Sequence, residues 1–146
     1  MAIDRQDPFL GYNFAVELDG ITRMGFKDCS GLESTSAATT YREGTDANLA
    51  QRQLPGLVSY TNISLSRGIT NDHALWDWRQ EVASGKITRH AISIVLRNAQ
   101  GEEQIRWNVK ECWPAKWTGP SFDASSDAVA IEKLELAHEG IEVQKW

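Results

Sequence analysis

Three histidines, two cysteines and a scatter of carboxylates are the side chains of this sequence that could do acid–base, nucleophilic or metal chemistry. Their spacing does not assemble any of it. His73, His90 and His138 stand far apart, with no His-x-x-His and no Cys-x-x-Cys to set ligands on one face, so a metal site would need coincidences of folding. No Gly-x-Ser-x-Gly elbow presents a nucleophile, and neither Cys29 nor Cys112 sits in a catalytic string. Glu102-Glu103 lies in a turn, where solvated charge is the ordinary explanation, and no Gly-rich loop with Lys would cradle a phosphate. The expectation is therefore no catalytic residue, no cofactor and no metal. His138 reads as a strand-end side chain making an ordinary hydrogen bond.

The six tryptophans carry more information. Exposed indoles would serve a sugar-binding module as stacking platforms, whereas Trp78 and Trp107 fall on apolar faces and read as core. Trp113 and Trp117 flank Lys116 beside Pro114 and Pro120, so this stretch is no long helix. It reads as a structural corner with a lysine stem between indoles, or as surface buried by a neighbour. Trp76 and the terminal Trp146 are the best candidates for burial by another chain.

The elements that must position these groups are mostly strands. Phe14, Val16 and Leu18 alternate with Ala15, Glu17 and Asp19, and Asp19-Gly20 predicts a two-residue hairpin turn into Ile21 to Phe26. Ile92, Ile94 and Leu96 share a face. Ile105, Trp107 and Val109 share another, with Gln104, Arg106, Asn108 and Lys110 opposite, and Asn98-Ala99-Gln100-Gly101 predicts that these two strands pair. Leu57 to Arg67 is a further strand, bounded by Pro55-Gly56 and Gly68. Near the C-terminus, Val129 and Ile131 are odd while Leu134 and Leu136 are even; a β-bulge at Glu132-Lys133 or a short helix would reconcile them. One amphipathic helix is predicted between Thr70 and Gly85, capped at Thr70, Asn71 or Asp72 and buried through Leu75, Trp78 and Val82. The fold class is mainly β: an antiparallel sandwich or barrel with one short helix.

With 146 residues, a net charge of −5 and a pI near 5.2, the chain is one acidic domain large enough to need no staple. Acidity without clustered Lys and Arg argues against tight nucleic-acid binding. No apolar run approaches a spanning helix. The opening Met1 to Pro8 lacks a secretory pattern, so synthesis and folding in the cytoplasm are expected, and the two cysteines read as reduced, buried, small hydrophobes. Residues 34–54 stand apart, with scattered apolar positions among Ser, Thr, Gly and charged residues. A loop this long is either an arm that orders on a neighbouring subunit or a plain mobile loop.

Several strings recur together in one known family. Trp113-Pro114-Ala115-Lys116-Trp117 is followed by Leu134-Glu135-Leu136-Ala137-His138-Glu139-Gly140. Upstream lie Asp7-Pro8-Phe9, Tyr12-Asn13-Phe14, Cys29-Ser30-Gly31-Leu32-Glu33, Pro55-Gly56, Ile63 to Gly68 and Leu75-Trp76-Asp77-Trp78. In order and spacing the chain resembles the tail tube proteins of contractile phage tails and phage-tail-like injection systems.

That resemblance implies a structural protein and not an enzyme. It implies hexameric rings that stack into a hollow tube inside a contractile sheath, with baseplate, spike and tube-capping partners and cargo in the lumen. The target membrane would be met only through the assembled particle, which lysis could release outside the cell. Alternatives are a minor tube or baseplate-adaptor paralogue, a type VI ring protein and, from another class, a monomeric carbohydrate-binding module. The resemblance turns residues 34–54 into an arm, so contacts between subunits or rings are expected at Asp7, Phe9 and Tyr12, at Thr39, Tyr41, Arg42, Glu43, Asp46 and Asn48, and at Trp76 and Trp146. The face of Gln104, Arg106, Asn108 and Lys110 is either lumenal or ordinary solvent surface. An acidic lining would repel nucleic acid and acidic cargo.

Overall fold

Period-two stretches fold as strands because alternate side chains reach opposite faces of a sheet, one dry and one wet. The computed structural model describes residue 5, residues 7–19 and residues 22–146, with residues 22–24 as backbone alone. Along the chain run β1 (Phe14–Leu18), β2 (Thr22–Met24), β3 (Asp28–Ser30), β4 (Ser34–Tyr41), β5 (Arg52–Tyr60) and β6 (Ile63–Gly68). After them come α1 (Ala74–Ala83), β7 (His90–Arg97), β8 (Glu103–Thr118), β9 (Ile131–Ala137) and β10 (Gly140–Lys145).

Eight strands form one antiparallel system in the order β2-β1-β7-β8-β9-β6-β3, with β10 also on β8. Its hinge is β8. The first part of that strand pairs with β7 and β10, and the part from Trp113 onward pairs with β9. Between them Glu111 adopts φ 52°, and the register with β9 shifts between Pro114 and Lys116. Proline has no N–H to give a ladder, so a bulge is where a strand tolerates it. The corner expected at the Trp-Pro string is thus a bend inside a continuous strand. Lys116 is exposed, and Trp117 is fixed by other partners, described below.

Across that bend Val16, Ile92, Ile94 and Val109 from one half pack with Ile63, Leu65, Leu134 and Leu136 from the other, and Leu75 and Trp78 of α1 close the core. Trp78 also donates its indole N–H to the carbonyl of Thr88 at 2.8 Å. The helix begins one residue later than the caps expected for it. His73 stands at its N-cap without a side-chain capping bond, while Asp72 Oδ1 accepts from Ala74 N at 3.1 Å and Gly85 follows the C-terminus at φ +98°.

Three expectations are corrected. Leu18 pairs with Thr22, which leaves three residues in the first hairpin connection and not two; Asp19 has the positive φ, 53°, and Gly20 and Ile21 lie outside the described residues. The strand read from Leu57 to Arg67 is two strands. Thr61 and Asn62 break it, and Pro55-Gly56 lies inside β5, at the register shift opposite Ala37, and does not precede the strand. There is no bulge at Glu132-Lys133: β9 pairs with β6 in unbroken register from Ile131 to Leu136, and its buried positions are all even, with Glu132 among them. A buried charge, held by Arg67, had hidden the parity.

Candidate functional site

The segment between β3 and β6 leaves the sandwich. Among the described residues β4 and β5 pair only with each other, and every residue of both is exposed, including Leu57 at 88% and Val58 at 55%. A lone two-stranded ribbon is marginal in water, so its ends must be secured. At the tip, the residues singled out from sequence form one network. Tyr41 OH donates to Glu43 Oε1 at 3.0 Å, Glu43 N donates to Asp46 Oδ2 at 3.0 Å, and Arg42 reaches the carbonyl of Asn48 through Nε and Nη2 at 3.3 and 3.2 Å. Arg52 closes the loop on Asp46 Oδ1 at 2.6 Å and lies over the Tyr41 ring. Thr39 sits in β4 opposite Leu54. The tip is ordered by its own side chains.

At the root, Gly31 takes φ +100°, and a Cβ there would lie 2.2 Å from the carbonyl oxygen of Asn62. Only glycine lets the two backbones approach this closely. Thr61 Oγ1 donates to Glu33 Oε2 at 2.7 Å, and His138 lies with its ring 5.5 Å from that of Tyr60. The strings Gly31-Leu32-Glu33 and Leu136-Ala137-His138 therefore meet at one place, the clamp of the ribbon. Sequence reading misses Tyr60, Thr61 and Asn62 because they lie inside the strand expected from Leu57 to Arg67, and the close approach of Gly31 to Asn62 exists only in the fold.

The segment before β1 is held separately. Asn13 Nδ2 donates to the carbonyl of Asn98 at 2.7 Å, and Asp7 pairs with Arg5 on the surface. Phe9 and Tyr12 are exposed. Tyr12 and Phe14 nevertheless share a cavity of about 320 Å3 with Cys29, Leu32, Leu96 and Trp107, which puts this segment beside the ribbon's root. Trp146 is 82% exposed, its ring 6.3 Å from that of Trp107. Trp76 lies elsewhere, against Trp117.

The outward face of β1, β7, β8 and β10 is stitched by polar side chains. Arg106 Nη2 donates to both oxygens of the buried Glu17 at 3.1 Å and Arg106 Nε to Glu103 at 2.7 Å; the Glu17 bond, ahead of the others, raises the guanidinium pKa. Ser93 donates to Asn108 Oδ1 at 2.7 Å, Asn108 donates to Gln144 at 2.9 Å, and Lys110 pairs with Glu142. Gln104 lies on β8 with this set, half-buried.

Chemistry in the catalytic sense has little to start from. Burial, more than the charge of Asp28, pushes the Cys29 thiol up to about 11, and burial pushes Cys112 up to about 12, so neither is a thiolate at neutral pH. Among the described residues no three His, Cys, Asp or Glu side chains gather as a metal ion would require. No helix among them is long and apolar enough to cross a membrane.

A sequence model for the T4-like virus tail tube protein gp19 matches residues 10–142. A search of curated proteins returns no match. Among solved structures, the chain is similar to a chain of the anti-feeding prophage (AFP) cap, the AFP tube terminating cap, at 30% identity and TM-score 0.89, over 100% of this chain and 97% of that one. It is similar to a chain of the PVC sheath–tube complex, in the extended state of an extracellular contractile injection system. There the identity is 29% and the TM-score 0.85, over 95% of this chain and 93% of that one. Hcp1 from Flavobacterium johnsoniae shares the fold alone, at 12% identity and TM-score 0.56, over 92% of this chain and 97% of that one.

Proposed function

The chain belongs to the T4-like virus tail tube family and is a structural tube subunit, and from that premise we propose that copies close into hexameric rings which stack through the β4–β5 ribbon. The observation that carries this is the ribbon itself: two strands exposed along their whole length, paired with no other strand among the described residues, yet ordered at tip and root. Free strand edges and exposed Leu57 and Val58 are liabilities in a monomer, and burial against another subunit removes both. The cavity shared by Tyr12 and Leu32 lies beside the root, so the segment from Asp7 to Phe14 joins the same contact.

In this reading the stitched polar face, with Gln104, Arg106, Asn108 and Lys110, lines the bore. Its charges are paired within β8 and across strands, so the lining offers cargo few uncommitted charges of either sign. A sheath surrounds the tube, a baseplate and spike start it, a cap ends it, and sheath contraction drives it through the target envelope. The particle, and not the subunit, meets the membrane. Similarity to the AFP and PVC chains at 29–30% identity, against 12% for Hcp1, favours a contractile tail or injection device over a type VI ring protein.

Negative-stain electron microscopy of the purified chain at high concentration, with light scattering for its mass, tests the reading. Rings or stacked tubes are expected. A strict monomer, still monomeric when mixed with preformed baseplates, overturns it.

A further inference from the structure

β6 and β9 pair antiparallel, with the ribbon's root at the Ile63–Leu136 end. Away from that end, where β8 lies along β9 with Trp117 opposite Leu134, Trp76 on α1 and Trp117 on β8 meet edge to face, their centroids 4.7 Å apart. They wall an open notch of about 240 Å3, completed by Ile69, Thr70, Asp72, His73 and Glu132. Trp117 is fixed by its indole N–H, which donates to Glu132 Oε2 at 3.0 Å, and Glu132 in turn accepts from Arg67 Nε at 2.6 Å. Trp76 is 42% exposed, so an indole is left on the surface at a place the chain itself does not cover.

The walls are apolar and aromatic, and the rim is acidic. Asp72 stands exposed at the rim and Glu132 is buried behind Trp117, both paired with the buried Arg67, and Asp77, also exposed, holds His73 at 2.7 Å. The start of a helix favours an anion, but Asp72 already supplies it by accepting from Ala74 N. What the notch lacks is a cation with an apolar stem, the group that indole faces and carboxylates attract together. We propose that the Trp76–Trp117 notch is a docking site for an arginine or lysine side chain of a basic partner protein unlike this chain.

A second copy is the poorer occupant. The ribbon is the element that extends beyond the sandwich, and its two cations, Arg42 and Arg52, are already held by Asn48 and Asp46 in its own tip. A basic segment of another protein is attracted to a chain of net charge −5. The inference does not depend on ring formation, since the notch is complete within one chain.

Fluorescence anisotropy of dye-labelled peptides alternating glycine with arginine, with lysine or with glutamate, titrated with the full chain at low salt, tests this. The arginine and lysine peptides are expected to bind and the glutamate peptide not. Trp76→Leu leaves the charge unchanged and should weaken binding about tenfold, while Trp76→Phe keeps a ring and restores most of it. Thr70→Lys, on the exposed rim, should block binding with its own ammonium and without touching the indoles. Unchanged affinity in a folded Trp76→Leu chain, or in Thr70→Lys, would mean diffuse attraction to an acidic surface and overturns the site. Equal binding of the glutamate peptide overturns the cation. Self-association of the free chain that Trp76→Leu abolishes makes a second copy the occupant and overturns the unlike partner.

Discussion

The imidazole of His138 meets the backbone carbonyl of Thr61, Nε2 to O 2.8 Å, across 77 residues of sequence. A carbonyl only accepts, so Nε2 carries the proton, and the turn after β9 grips the link between β5 and β6. His138→Ala removes that grip and the ring contact with Tyr60. A net hydrogen bond is worth about 1 kcal/mol, so Tm should fall by roughly 2–4 °C. The expected signature is faster amide exchange at residues 52–62 with β7 and β8 unchanged; uniform acceleration would show that the clamp belongs to the whole fold.

Gly31→Ala should be far more damaging than its size implies. The backbone sits at φ +100° and the new methyl would fall 2.2 Å from the Asn62 oxygen. The conformational cost alone is about 1–3 kcal/mol, and relieving the clash adds to it. Urea denaturation should show the loss, and Asn62→Gly should not rescue it, because the obstructing atom is backbone.

Arg67 and Glu132 face each other at 2.6 Å with side chains 8% and 5% exposed. Arg67→Met strands a buried carboxylate with Trp117 as its remaining donor, at a cost of about 3–5 kcal/mol. Arg67→Met with Glu132→Leu should recover much of that loss in a double-mutant cycle. Additive losses would refute the coupling.

Deleting residues 39–48 removes the self-ordered tip and none of the core side chains. The domain should keep its thermal unfolding within a few degrees and lose stacking, as judged by electron microscopy. Long tubes from the deletion variant would rule the ribbon out as the stacking element.

Neither thiol should react with iodoacetamide at neutral pH on the timescale of a model thiol, and Cys112 should wait for unfolding. The folded thiols keep their protons above the ordinary 9.0, to about 11 at Cys29 and about 12 at Cys112, so the unfolded chain releases them first. Their contribution to stability is full below about pH 9 and is lost as pH rises toward those values. Replacing both with alanine should flatten this alkaline limb in denaturation measured against pH.

Where one face of a strand was wet and the other dry, the pattern was readable in advance: Ile105, Trp107 and Val109 against Arg106, Asn108 and Lys110, and the hairpin turn at Asn98 to Gly101. The ribbon was harder, because both faces of β4 and β5 meet solvent and no alternation marks them. Only the unusual length of the segment betrayed it, and its far strand was merged with β6. β9 was misread because Glu132 occupies a core position as half of an ion pair, which a hydrophobic count scores as surface. The tip residues enter from sequence only as contact positions on the arm that the family resemblance implies; their mutual bonds were not legible, since those depend on how the loop turns back between Arg42 and Arg52.

Since β8 belongs to both halves of the sandwich, the two halves have no seam. Pulling them apart cannot proceed one bond at a time from an edge, because the strand to be detached is hydrogen-bonded to β7 and β10 at one end and to β9 at the other. A load along it is shared by both ladders at once. Such a subunit is expected to yield as one unit, so a loaded assembly should fail at contacts between subunits before its halves part.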